Sequence, residues 1–238
     1  MDEPAVSEDL AARVAAVAAL DEPSRRRLYD HVVRQSEPVS RDEAAAAVDL
    51  ARTTAAFHLD RLVAEGLLEV SYERRTGRTG PGAGRTAKLY RRSQHQVGVS
   101  LPERRYDLAG RLLAAAVAEA EETGERPRDI ADRKARELGR ELARDAAADG
   151  AAADPALTAL QVLEAHGFEP REEGAEVALV NCPFHALAQE HTALVCGMNL
   201  QLCSGLLAEA GVTALAARLD PRPGHCCVRL TPKTDPQP

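Results

Sequence analysis

Along the first half of the chain, apolar positions recur at helical spacing in successive segments. Asp9 to Ala19 alternates Leu, Val and Ala, and Glu22 to Arg34 sets Leu28, Val32 and Val33 on one face, which predicts two helices. Pro38 and Ser40 interrupt the pattern. Ser40 followed by Glu43 is a capping box, whose side chains satisfy the first free N–H groups of a short helix from Arg41 to Val48. A further helix from Ala51 to Glu65 stops at Gly66, a residue suited to the left-handed turn that closes a helix. Two helices across a turn of about three residues make a helix-turn-helix candidate. The β-prone stretch Leu67 to Tyr72, the Thr76 to Arg85 loop with its four glycines and a proline, and the second strand Ala87 to Arg92 then read as a wing.

The second half changes character. Glu103 to Ala120 carries Leu108, Leu112 and Ala115 or Ala116 on one stripe, and Arg128 to Ala148 carries Ile130, Leu138 and Leu142. Such long helices with small side chains pair subunits or pack within one chain; pairing into a homodimer is the expectation. Asp154 and Pro155 open another helix that Gly167 ends, short strands follow at Phe168 to Pro170 and Glu176 to Asn181, and a helix spans Gly197 to Ala210 before one or two final strands. The expected fold class is mainly α with α+β parts. Residues 1–95 are expected to form a winged helix-turn-helix, 96–150 a helical linker and dimerisation region, and 151–238 a small α+β domain.

Charge sharpens this picture. The 238 residues carry 30 Lys+Arg against 37 Asp+Glu, a formal charge of −7. Residues 51 to 92 nevertheless hold nine basic and four acidic residues, +5, so the remainder is −12. A concentrated basic stripe binds a polyanion despite the net charge, because salt screens the distant acids. On the wheel of the second short helix Ala55, Leu59, Leu62 and Val63 face inward, while Thr53, Thr54, Phe57 and Arg61 face outward. In a major groove Phe57 would pack on a thymine methyl, Arg61 would reach guanine, and Thr53 or Thr54 would bond to bases or phosphates. Arg52, and on the wing Arg75, Arg78, Arg85 and Lys88, suit phosphate or minor-groove contact.

No run approaches the roughly 18 apolar residues of a membrane span, and the first 20 residues carry four acids instead of a basic leader. All five cysteines (Cys182, Cys196, Cys203, Cys226, Cys227) fall in the last quarter of the chain. Their odd number and clustering suit a metal or redox site in a reducing cytoplasm better than a disulfide scaffold. Converging thiolates bind soft metal well, although the CxxC pairs of a zinc ribbon are missing. Cys203, beside Leu202 and Leu206, reads as core packing, and of the adjacent Cys226 and Cys227 only one would face a given side of a strand. No Ser/His/Asp set, GxGxxG or phosphate loop accompanies the cysteines, so a non-enzymatic protein is expected.

The runs ALDEPSRRRLYDHV, TTAAFHLDRLVAEGLLEV and GPGAGRTAKLYRR resemble the winged helix-turn-helix of ArsR-like bacterial transcriptional regulators over roughly residues 10 to 93. The resemblance implies a dimer reading a near-palindromic operator in double-stranded DNA, with repression as the default. The segments NCPFHALAQEHTALVCGMNL and PGHCCVRL resemble the sensor domain of SufR-like regulators, whose cysteines hold an iron-sulfur cluster, expected here as [4Fe-4S] with [2Fe-2S] open. That resemblance nominates Cys182, Cys196 and one of Cys226 or Cys227 as ligands. Relatives carry a further cysteine where this chain has Pro183, Phe184 and His185, which leaves His185, the other member of the Cys pair or an exogenous group as the fourth. Zinc and a metal-free thiol switch are the alternatives within the same class, and a small-molecule-sensing regulator with merely structural cysteines is a further one.

Overall fold

A computed structural model describes residues 5–73, 86–150 and 154–233, with side chains from residue 10 onward. The chain divides into two compact units, Met1–Val99 and Ser100–Pro238. The helices expected to form a separate central region belong to the second unit, for a packing reason given below.

The N-terminal unit runs α1 (Ala5–Ala19), α2 (Pro23–Val33), β1 (Val39–Ser40), α3 (Arg41–Ala47), α4 (Arg52–Ala64), β2 (Leu68–Glu73) and β3 (Ala87–Arg92). Glu22 caps α2, its carboxylate accepting from the N–H groups of Ser24 at 3.0 Å and Arg25 at 2.5 Å. The Ser40–Glu43 capping box forms as the sequence predicts, with the Glu43 N–H donating to Ser40 Oγ and the Ser40 N–H to Glu43 Oε2. Between α3 and α4 the turn is tightened by Asp49, whose φ of 53° is unusual for a residue with a side chain. Gly66, at φ 71°, closes α4: its N–H reaches Val63 O and the Leu67 N–H reaches Leu62 O, each at 3.0 Å. Leu28, Val32, Ala44, Ala55, Leu59 and Leu62 fuse these helices into one core. The sheet order is β1-β3-β2, all antiparallel; the two-residue β1 pairs Val39 with Tyr90 and Ser40 with Leu89.

The C-terminal unit runs α5 (Tyr106–Thr123), α6 (Pro127–Ala148), α7 (Pro155–Ala165), β4 (Pro170–Glu173), β5 (Glu176–Leu179), α8 (His185–Glu190), α9 (Thr192–Glu209), β6 (Leu215–Leu219) and β7 (Val228–Pro232). Its antiparallel sheet has the order β4-β5-β7-β6. α9 is buried on all sides, through Val195, Met198, Leu202, Leu206 and Leu207 among others, as befits a helix apolar around its whole circumference. Its closest neighbour is α6. A Cβ on Gly139 of α6 would strike the backbone of Leu202 and stand 2.8 Å from Leu206 N, and one on Gly205 of α9 would strike the backbone of Arg136. Two reciprocal glycines therefore let the helices touch backbone to backbone. This intrachain contact seats α6 against α9 within the cysteine-bearing unit.

Candidate functional site

Recognition chemistry in the N-terminal unit is set by which face of α4 its core leaves over. Ala55, Leu59 and Leu62 are buried as the wheel predicts, with Val63 half-buried, and Thr53, Thr54, Phe57 and Arg61 are exposed. Phe57 is 67% exposed, an extreme value for a large apolar side chain on a helix whose core face is already complete. The cations around it are held by neighbouring acids: Arg52 by Asp42 at 2.6 Å, Arg61 by Glu65 at 2.5 Å and Arg91 by Glu69 at 2.6 Å. Exposed pairs of this kind contribute about 0–1 kcal/mol, so exchange for a phosphate or a base edge costs little.

Lys88 is held more firmly than a free wing cation. Its ammonium donates to Asp60 at 2.6 Å and lies 5.2 Å from the centre of the Tyr90 ring, while the Tyr90 hydroxyl donates to the same Asp60 oxygen at 2.9 Å. The bond to Asp60 raises the Lys88 pKa. At Asp60 desolvation pushes the carboxyl up, but the bonds from Lys88 and Tyr90 outweigh it and hold the pKa below its usual value. This triad ties α4 to β3. Arg75, Arg78 and Arg85 lie outside the described residues. His58, given no role by its sequence position, is buried on the core side of α4 with Nε2 3.6 Å from the Glu22 carboxylate.

In the C-terminal unit three segments deliver sulfur to one helix. Cys182 follows β5 in a loop fixed from both sides: the Asn181 amide donates to Gly167 O at 2.6 Å and Glu103 O at 3.0 Å, and Arg104 donates to Asn181 Oδ1 and, at 3.3 Å, to Cys182 O. Cys226 precedes β7, its N–H donating to Leu179 O at 2.8 Å. Cys196, Asn199 and Cys203 occupy one face of α9 at i, i+3 and i+7. Cys196 is bonded to Cys227 in a disulfide with a Cα–Cα separation of 6.3 Å. Asn199 donates to Cys226 Sγ at 3.2 Å and the Val228 N–H to the same sulfur at 3.5 Å.

The Cys182 and Cys226 thiols hydrogen-bond each other. That bond, against the desolvation of burial, lowers the Cys182 pKa with help from the Phe184 N–H and Arg104. The same bond and burial raise Cys226 well above its ordinary value. Burial pushes Cys203 up to about 12, the charge of Cys182 adding to it. Cys203 is thus a neighbour of the other thiols as well as core; spacing alone gave no sign of this, because the partners that surround it come from distant strands. Both members of the Cys226–Cys227 pair reach α9. Their expected divergence fails because they sit in the turn before β7, where strand alternation does not apply.

The histidines stand apart from the sulfurs. His185 opens α8 as an exposed residue whose N–H donates to Cys182 O at 3.1 Å, His191 is exposed at the start of α9, and His225 donates from Nδ1 to Pro223 O at 3.0 Å and faces Glu173 at 3.9 Å. Among the described residues no group of three or more His, Cys, Asp or Glu side chains is arranged to hold a metal ion. With Cys196 and Cys227 joined, these two sulfurs are not thiolates in this structure.

Residues 20–71 match the model of a helix-turn-helix domain family. No curated protein and no solved structure matches the chain. The matched segment covers α2 through most of β2, so the N-terminal unit, completed by the β2–β3 wing strands, is that of a DNA-binding transcriptional regulator. No helix among the described residues is long and apolar enough to cross a membrane.

Proposed function

We propose that this helix-turn-helix regulator is a cytoplasmic homodimeric repressor that senses redox or iron-sulfur status through its C-terminal cysteines. The observation that carries this reading is the convergence of all five cysteines, from the loop after β5, from α9 and from the turn before β7, around one buried face of α9. Nothing in a DNA-binding domain calls for such a pocket. Thr53, Thr54, Phe57 and Arg61 on the outer face of α4 supply base contacts in the operator, and Arg52 with the wing cations supplies phosphate contacts.

The donor set suits an iron-sulfur cluster by its chemistry: soft sulfur donors, sheltered from solvent, with Asn199 donating to one sulfur and its buried Oδ1 left without a hydrogen-bond partner. Reduction of Cys196–Cys227 is the condition for loading. Cys182, Cys196 and Cys226 would then hold the group, with Cys227 or His185 as fourth ligand. A bound cluster would supply one-electron redox chemistry and sensitivity to oxidants. α9 carries the sulfurs on one face and meets α6 on another, so a change at the sulfurs alters the packing of the whole unit and shifts the population of DNA-binding-competent dimer. The disulfide favours a second reading, a thiol-based sensor that uses no metal.

The test is the absorption spectrum of protein purified without oxygen, with iron, sulfide and zinc measured on the same sample. Broad absorbance near about 400 nm with iron and sulfide, lost in Cys182→Ala, is the expected result. A colourless protein with about one zinc per chain would replace the cluster by zinc. Absence of iron, sulfide and zinc alike would leave the thiol reading.

A further inference from the structure

We propose that Cys182 and Cys226 are a second disulfide-forming pair beside Cys196–Cys227, so that the pocket stores two separate two-electron oxidations. This goes beyond the cluster reading and concerns the metal-free chain. The strand topology brings the pair together. β5 and β7 are antiparallel neighbours, Cys182 lies just past the end of β5, and Cys226 lies just before the start of β7. The Cys226 N–H bond to Leu179 O continues their pairing toward the two cysteines. Their side chains are close enough to act on each other, which lowers the Cys182 pKa and raises that of Cys226.

Each sulfur is also held from behind. Asn199 Nδ2 and the Val228 N–H fix Cys226 Sγ, and the Phe184 N–H fixes that of Cys182. Little conformational freedom remains to be lost on bond formation. Cys196 and Cys227 are engaged with each other and do not compete. Of the three remaining thiols, Cys203 on α9 is 0% exposed and lies outside the β5–β7 junction that brings Cys182 and Cys226 together.

A peroxide is the oxidant that suits so enclosed a pocket, because Cys182 is only 7% and Cys226 only 3% exposed. One sulfur attacks a peroxide oxygen, the O–O bond breaks, and a sulfenic acid and one water form. The second sulfur attacks the sulfenic sulfur and displaces its hydroxyl as a second water. The two thiols lose two protons and two electrons, one S–S bond forms, and hydrogen peroxide becomes two waters.

The experiment uses the full chain, stripped of iron and zinc by chelation, fully reduced, then titrated with hydrogen peroxide, with thiols counted under denaturing conditions. The expected count falls from five to one, and tandem mass spectrometry of the digested chain, whose backbone fragmentation separates the adjacent Cys226 and Cys227 and parts Cys196 from Cys203, finds Cys196–Cys227 and Cys182–Cys226 with Cys203 alkylated. In the double variant Cys196→Ser/Cys227→Ser the count falls from three to one. Adding Cys203→Ser keeps the loss of two, and adding Cys182→Ser instead abolishes it. Retention of all three thiols, or a loss that requires Cys203, overturns the proposal; if the double variant fails to fold, the wild-type map decides alone. Metal content is read on a separate sample. A stripped chain that forms the pair while purified protein holds no iron sinks the cluster only, and iron-loaded protein whose stripped chain keeps these thiols sinks the pair only.

Discussion

Gly205→Ala isolates the contact on which the C-terminal unit is built. A Cβ at this position stands 2.9 Å from the carbonyl carbon of Arg136 and 3.1 Å from its Cα, with the carbonyl oxygen closer still. These are backbone atoms, so no rotamer change relieves the overlap, and α6 and α9 must separate by roughly 1 Å. Overpacking of this kind costs about 1–3 kcal/mol, and a gap of that width forfeits a quarter to a half of each dispersion contact along the rest of the interface. The substitution recovers about 1 kcal/mol of helix propensity. The balance of these two terms is a loss of up to about 2 kcal/mol, to which the forfeited dispersion adds, and Gly139→Ala, which would strike the backbone of Leu202, behaves alike. Gly110 is the control: it lies within α5, and its Cβ would meet nothing within 4 Å. Gly110→Ala therefore stabilises by up to about 1 kcal/mol. Urea unfolding of the full chain, followed by far-ultraviolet circular dichroism and fitted with one transition per unit, reads the difference as a midpoint shift of about 1 M or more. Equal midpoints for Gly205→Ala and Gly110→Ala would refute the reciprocal-glycine contact.

Three further outcomes are expected. Phe57→Ala leaves unfolding within about 0.5 kcal/mol of wild type, because the ring is exposed, and weakens operator binding in a gel-shift or anisotropy titration; unchanged affinity would remove Phe57 from the DNA face. Asp60 has a folded pKa below its unfolded value of about 3.9, so its contribution is present above that pH and is lost as pH falls through the folded pKa. Asp60→Asn should accordingly flatten the acid limb of the stability–pH curve below about pH 4, and an unaltered limb would show that the Lys88–Asp60–Tyr90 triad does not act in solution. Reducing Cys196–Cys227, which spans 31 residues, should lower the unfolding free energy of the C-terminal unit by about 3–4 kcal/mol from loop entropy, readable as a drop in urea midpoint on adding dithiothreitol.

Local signals carried much of the fold. The Ser40–Glu43 box, Gly66, Asp154 and Gly167 mark helix ends by the hydrogen bonds their own positions demand, and β3 falls on Ala87–Arg92 as its pattern predicts. Elements with no local reason to exist were not legible. β1 is two residues long and exists through its pairing with β3; α8 has six residues and buries none of them; β7 lies between β5 and β6, an order that no stretch of sequence encodes. The same division runs through the sites. The outward set Thr53, Thr54, Phe57 and Arg61 follows from one helix wheel, and the five cysteines are conspicuous by their clustering. Their partners are not: the Cys196–Cys227 bond, the Cys182–Cys226 contact and the approach of Asn199 each join segments more than 25 residues apart.

The cysteines differ in depth, and depth sets a clock. Cys227 is half-buried, so a bulky cellular thiol can approach the outer bond from the Cys227 side without waiting for the unit to open. Cys182, Cys203 and Cys226 are buried, and a reductant of that size reaches them during local opening alone. A small oxidant enters both layers at similar speed, whereas recovery proceeds from the outside in. If the inner pair forms as proposed, the outer bond would report the present state of its surroundings and the inner one would keep a record of the last exposure after the outer had been reset.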